Sequence, residues 1–211
     1  MTTQHKWLLW GAGLSAIALM VWAYLFWVVS PLPFSVVKPL PDEEAVLKVF
    51  RDTQLVTGVY SFPGFMETQG MDGASFEKTK SGPIGQIFVR REGNNPLNPL
   101  PYLAGLVHFF LISLAAGALL LWVRAALPSY GLRLGFVTAL GAFAALSVDF
   151  SAPLWWHHPW GYHALTALYD AGSGVVSGLV LAWALDPCRL EAAPLQTPGG
   201  AEEGRAGEKG L

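Results

Sequence analysis

The chain has 211 residues, of which 53% are hydrophobic and 13% charged, with nine Trp, twelve Phe and six Tyr. A charged share about half the usual one, under that apolar load, excludes a disordered chain, a collagen-like fibre and an ordinary soluble domain, and leaves an integral membrane protein. A net charge of −2 offers no basic footprint for nucleic acid, and the single Cys188 excludes an intrachain disulfide and a Cys-cluster metal site.

Four segments read as membrane spans. Residues 7–29 carry no charge, and 101–123 are interrupted only by His108. Residues 134–148 are apolar or small, and 162–185 are broken by His163 and Asp170. A bilayer core of about 30 Å takes roughly twenty helical residues, and in hydrocarbon a helix satisfies its own backbone. The first run is longer than a signal-peptide core and has no small-residue cleavage site before Ser30-Pro31, so 1–29 reads as a retained anchor. The fold expected is an all-α membrane protein: four transmembrane helices with a small α+β extracytoplasmic insertion, 30–100, between the first two. Residues 101–185 hold the other three spans, and 186–211 read as a disordered cytoplasmic tail rich in Gly, Pro, Ala and Glu.

Charge sets the expected orientation. Lys6, Arg124, Arg133, Arg189, Arg205 and Lys209 flank the spans on one side, while the short connection 150–161 has no Lys or Arg. Both termini are therefore expected in the cytoplasm and 30–100 in the periplasm of a bacterial inner membrane. Trp27, Trp155, Trp156 and Trp160 then mark the outer interface, and Trp7, Trp10, Trp122 and Trp183 the inner one. Within the insertion, Pro41 and the acids Asp42-Glu43-Glu44 start a helix over about 41–54, with Ala45, Val46, Val49 and Phe50 as its apolar face. Gly58–Phe62 and 85–90 read as two short strands, separated by a loop punctuated by Gly70, Gly73, Gly82 and Pro83. So thin a core needs support from the helix ends or from another subunit.

Ionisable residues inside a span are costly, about 2.5–3.5 kcal/mol for a mid-helix Asp. At 1.5 Å per residue, His108 lies roughly 10 Å and Asp170 roughly 13 Å below the outer surface. Asp149 ends the third helix, His163 begins the fourth, and His157-His158 sit above them. One reading of this group is a haem, chlorophyll-type pigment, metal or proton site. The other is a structural hydrogen bond between His108 and Asp170, with His157 and His158 in the interfacial belt. Small residues four apart, Gly174 and Gly178, Ser173 and Ser177, Gly131 and Gly135, Gly141 and Ala145, let helices approach closely, within the bundle or against a neighbouring protein. No Walker loop, nucleophile elbow, HExxH, CxxC or dinucleotide fingerprint is present. Nor is there a matching pair of broken spans of the transporter kind.

Pro41-Asp42-Glu43-Glu44-Ala45-Val46, Gly58-Val59-Tyr60-Ser61-Phe62-Pro63-Gly64 and Ser81-Gly82-Pro83-Ile84-Gly85 resemble segments of a group of uncharacterised bacterial multi-span membrane proteins. So does the stretch from Ser129-Tyr130 through Trp155-Trp156 and Asp170 to Gly178-Leu179-Val180. The resemblance implies an N-terminal anchor, an extracytoplasmic segment and a helical C-terminal half; it implies no activity and no catalytic residue. The expected function is a non-catalytic accessory or stabilising subunit of a larger membrane complex, in a respiratory or photosynthetic electron-transfer setting. Its expected partners are other integral membrane subunits and the bilayer. A cofactor-binding redox protein using His108, His157, His158 and His163, and a periplasmic sensor or assembly factor, are the alternatives.

Overall fold

The computed structural model describes residues 2–64 and 73–191. It is mostly helical, and four helical runs are long and apolar enough to cross a membrane: Thr3–Val29, Leu100–Ala126, Tyr130–Trp156 and Trp160–Ala184.

Helix α1, Thr3–Tyr24, is capped by Thr2, whose hydroxyl accepts from the His5 backbone N–H, and runs into a π-helical turn, Leu25–Val29. Ser30-Pro31 ends it, because proline has no N–H to continue the ladder. A short helix α2, Leu32–Val36, follows. Helix α3, Glu43–Asp52, starts where the sequence places it: the Asp42 carboxylate accepts from Ala45 N at 3.0 Å, and Glu43 and Glu44 occupy the first turn. Strands β1, Gly58–Phe62, and β2, Gly85–Val89, pair antiparallel from Gly58 opposite Val89 to Phe62 opposite Gly85. The expected loop between them contains helix α4, Gly73–Ser81. Residues 65–72, including Gly70, lie outside the described part. Beside the ladder, the Thr57 hydroxyl donates to Glu92 Oε2 at 2.6 Å and accepts from Arg91 N at 3.0 Å.

The remaining spans are α5, Leu100–Val123, followed by a 3₁₀ turn; α6, Tyr130–Ala144, followed by a π-helical turn, Ala145–Asp149, and helix α7, Ser151–Trp156; and α8, Trp160–Ala184. Helices α1 and α8 form the central pair. Helix α5 packs on α1 and α6 packs on α8, whereas α5 and α6 barely meet. Each seam is built from small residues, as association in lipid requires. Helix α1 buries Gly11, Ala12, Ser15, Ala16 and Leu19, and α5 buries only Ser113, Gly117 and Leu120, spaced to share one stripe. At the crossing of α6 and α8, a Cβ on Gly141 would stand 2.7 Å from Gly174 Cα, and one on Gly178 would stand 3.1 Å from Leu134 O. Gly174, Gly178 and Gly141 thus pack within the bundle, while Gly131 and Gly135 face open space.

The ends of the bundle differ. At the termini end of the bundle, where α1 begins and α8 finishes, Leu120, Val137, Leu181, Leu185 and Leu190 form an apolar core. Leu190 belongs to α9, Pro187–Glu191, so the expected disordered tail begins with a helix docked on that core; residues 192–211 lie outside the described part. Arg133, 1% exposed, closes this end. Its Nε donates to Ala182 O at 3.2 Å, Nη1 to Pro128 O at 2.9 Å, and Nη2 to Asp186 Oδ2 at 2.6 Å. The end carrying the insertion holds the polar groups.

Candidate functional site

Helix α8 supplies the spine of this polar region. His163, Asp170 and Ser177 are seven residues apart in succession, just under two turns, so they share one face. Asp149 reaches the same region through the π-helical turn. An uninterrupted α-helix would carry residue 149 about 80° around the axis from Gly141 at roughly 100° per residue. The wider turn advances less per residue and keeps residue 149 on the side facing α8. Asp149 is 6% exposed, on a turn that packs against α8.

Above the carboxyls, His157 takes a left-handed backbone conformation (φ 58°) that ends α7 and turns the chain into α8. The turn points the two neighbouring histidines differently. His157 stays exposed. His158 folds inward and stacks on His163, with ring centroids 5.2 Å apart and His158 Nδ1 3.1 Å from His163 Nε2. The other nitrogen of His158 is 3.0 Å from Gln86 Oε1, so β2 of the insertion is tied to the helix ends. Val36 of α2 lies against Gly161, a second such tie. Tyr162 packs edge-on against His163. Two atoms of the cluster are buried without a hydrogen-bond partner, Asp149 Oδ2 and His163 Nδ1.

On the other side of α8, Trp22, Phe26 and Trp27 of the first span surround Tyr169. Trp22 Nε1 donates to Tyr169 O at 3.3 Å, and Gly172 leaves the space its ring fills. Further toward the termini, three buried hydroxyls join three helices: Ser113 Oγ donates to Ser15 Oγ at 2.9 Å, and Ser15 Oγ is 3.0 Å from Ser177 Oγ.

His108 and Asp170 are not brought together. No hydrogen bond or ion pair joins them, and the ring contact of His108 is with its neighbour Phe109. The reason is azimuthal. His108 precedes Gly117, which faces α1, by nine residues, or two and a half turns at 3.6 per turn, so it lies on the opposite side of α5. It is exposed on the outer surface of the bundle. Of the four candidate histidines, the fold unites His158 and His163 only. Among the described residues, no group of three or more His, Cys, Asp or Glu side chains has a metal-holding arrangement.

Sequence reading missed three elements here. Gln86 looked like any strand residue. Ser15 and Ser113 were hydroxyls hidden in apolar runs, though any polar group in a span is a signal. Arg133 served only to orient the chain. A separate cleft of about 450 Å³ opens at the termini end, lined by Trp7, Tyr130, Trp183, Asp186, Cys188 and Arg189. In it the Arg189 guanidinium lies 4.2 Å from the Trp183 ring centroid and 5.5 Å from that of Trp7. Comparison of the chain with protein-family models, with curated proteins and with solved structures finds no match.

Proposed function

We propose that the protein is a non-catalytic accessory subunit that packs against, and stabilises, a larger bacterial membrane complex, with a respiratory or photosynthetic electron-transfer assembly as its setting. The observation that carries this reading is His108, an ionisable residue deep in a span yet exposed on the outside of the bundle. Such residues almost always face a bundle interior or a water-filled cavity, so the reading supplies that interior from another polypeptide. Ala104, Ile112 and Ala115 are exposed along the same face, a narrow strip on which a helix can lie close. Gly131 and Gly135, open on α6, suit a second contact of the same kind. In this reading the termini lie in the cytoplasm and the insertion in the periplasm, which is supported by Lys6, Arg124 and Arg189 at the termini end.

The test is extraction in mild detergent with a photo-crosslinking residue at position 112. The expected result is an adduct with a second, different polypeptide that also co-purifies. A chain that runs alone at its own mass, with adducts to lipid only, refutes the proposal.

The second reading, a haem-, pigment- or metal-binding redox protein, draws on the contact of His158 with His163. Their facing nitrogens, 3.1 Å apart and bonded to each other, leave no room for iron between them. An absorption spectrum and metal analysis of the purified chain decide that reading.

A further inference from the structure

We propose that the cleft at the termini end is a binding site for the phosphate group of an anionic phospholipid, with Arg189 as its cationic donor. The cleft measures about 450 Å³ and opens where the first turns of α1 meet the last turn of α8 and helix α9. A Cβ on Gly11 would stand 2.8 Å from Ala184 Cβ, which sets the start of α1 directly beside the end of α8. Trp7, Trp183 and Arg189 thus come from three separate helices and wall one space.

Arg189 is held in place without an acid for a partner. Its neighbour Leu190 is 6% exposed in the apolar core, which pins the short helix to the bundle. The half-buried guanidinium lies 4.2 Å from the Trp183 ring centroid and 5.5 Å from that of Trp7. Among the described residues its side chain has no ion pair and no hydrogen bond, and its contacts are with these two rings. The acid of the cleft, Asp186, is engaged elsewhere: Oδ2 accepts from Arg133 Nη2 at 2.6 Å and Oδ1 from Cys188 N at 3.0 Å. The Tyr130 hydroxyl donates to Leu179 O at 3.1 Å. Arg133 offsets Asp186, so Arg189 leaves the cleft with one positive charge and a planar fork of N–H donors. That fork matches two phosphate oxygens at once, and the indole N–H groups of Trp7 and Trp183 are donors as well.

Depth selects a lipid as the source of that phosphate. Helix α8 has 25 residues, about 37 Å at 1.5 Å per residue, against a hydrocarbon core of about 30 Å. Its last turn therefore stands at the level of the headgroups, where Trp residues gather and where basic pockets between spans take anionic lipids. Trp183 and Tyr130 remain exposed on the rim of the cleft, so a headgroup reaches Arg189 without displacing a helix.

Cys188 lines the cleft, is exposed and is the single thiol of the chain, so its reactivity reports occupancy. The test is the rate at which N-ethylmaleimide, an uncharged reagent, alkylates Cys188 in the full-length protein in lipid nanodiscs. Phosphatidylglycerol replaces phosphatidylcholine stepwise, whose phosphate is offset by its own cation. The rate is expected to fall and then level off as the site fills. In Arg189→Gln the mole fraction of phosphatidylglycerol giving half the effect is expected to rise about tenfold or more, the loss of a charge-assisted donor. Lys6→Gln removes a charge from the same end without touching the lining of the cleft, and is expected to leave that fraction nearly unchanged. Inorganic phosphate added to phosphatidylcholine discs is expected to leave the rate as it was. A rate insensitive to phosphatidylglycerol in the unsubstituted protein overturns the proposal whether or not the variants fold. An unchanged half-effect in Arg189→Gln overturns it too, as does an equal loss in Lys6→Gln, the mark of diffuse attraction. Protection by inorganic phosphate and none by phosphatidylglycerol assigns the cleft to a soluble phosphate and overturns the lipid.

Discussion

The sharpest test of the architecture is a single methyl group at the crossing of α6 and α8. A Cβ on Gly174 would lie 2.9 Å from Gly141 Cα, 3.1 Å from Thr138 O and 3.3 Å from Gly141 N. All three atoms are backbone, so no side chain can swing aside. Carbon–carbon contact is optimal at about 3.5–4.0 Å, so Gly174→Ala drives the helices apart by roughly 0.6–1 Å at this point. A gap of that size forfeits about a quarter to a half of each contact along the seam. Overpacking of this kind costs about 1–3 kcal/mol. The assay is reversible unfolding in mixed micelles of increasing SDS fraction, followed by far-ultraviolet circular dichroism. Gly135→Ala is the control, because nothing lies within 4 Å of its added methyl. Gly141→Ala combined with Gly174→Ala is expected to cost less than the sum of the two, since the first substitution already opens the seam. A Gly174→Ala protein as stable as Gly135→Ala refutes the packing described for α6 and α8.

Three further outcomes follow from the structure. Asp186→Ala leaves Arg133 buried without its carboxylate and is expected to destabilise the bundle by up to about 3–5 kcal/mol, at the lower end because Asp186 is 35% exposed, whereas Arg133→Met removes the charge and is expected to cost less in the same unfolding assay. Ser15→Ala breaks two hydroxyl bonds and Ser113→Ala one, so at about 0.6 kcal/mol per interhelical bond the first is expected to be the more destabilising; equal effects would count against the three-serine network. The Thr57 hydroxyl, followed by a backbone hydrogen bond, holds the Glu92 carboxyl below its ordinary range. Because the folded value is depressed, the clasp is present above the unfolded value and is lost as pH falls through the lower folded one, and a nuclear magnetic resonance titration of Thr57→Val is expected to show Glu92 moved up toward the ordinary value.

The four spans were legible because hydrocarbon imposes a length and a composition that no other environment does. Helix α3 was legible from Asp42 and its neighbours, and the two strands as short runs on either side of a glycine-punctuated stretch. Helix α4 was hidden by Gly73 and Gly82, which read as punctuation of a loop and in fact sit at its ends. The pairing of His108 with Asp170 failed for a different reason. Counting residues gives depth, and the two do lie at similar depth, but the azimuth of each helix is set by which stripe packs. Gly117 and Ser113 turned the packed side of α5 toward α1 and sent His108 outward. Asp149 looked like a border residue because its approach to α8 depends on a π-helical turn that has no sequence signature. Arg133 and Asp186 are 53 positions apart, and nothing local announces their pairing.

Helix α8 shows why packing and polarity in this bundle cannot be separated. Gly174 lies four residues beyond Asp170, so the crossing that lets α6 close on α8 also holds the third span against the turn of α8 that bears Asp170. The contact is direct: a Cβ on Gly141 would stand 3.0 Å from Asp170 O. The small residues therefore do more than lower the distance between two helices. They hold the turn that bears Asp170 against the third span, and Gly141→Ala is expected to destabilise the bundle by about 1–3 kcal/mol in the same unfolding assay.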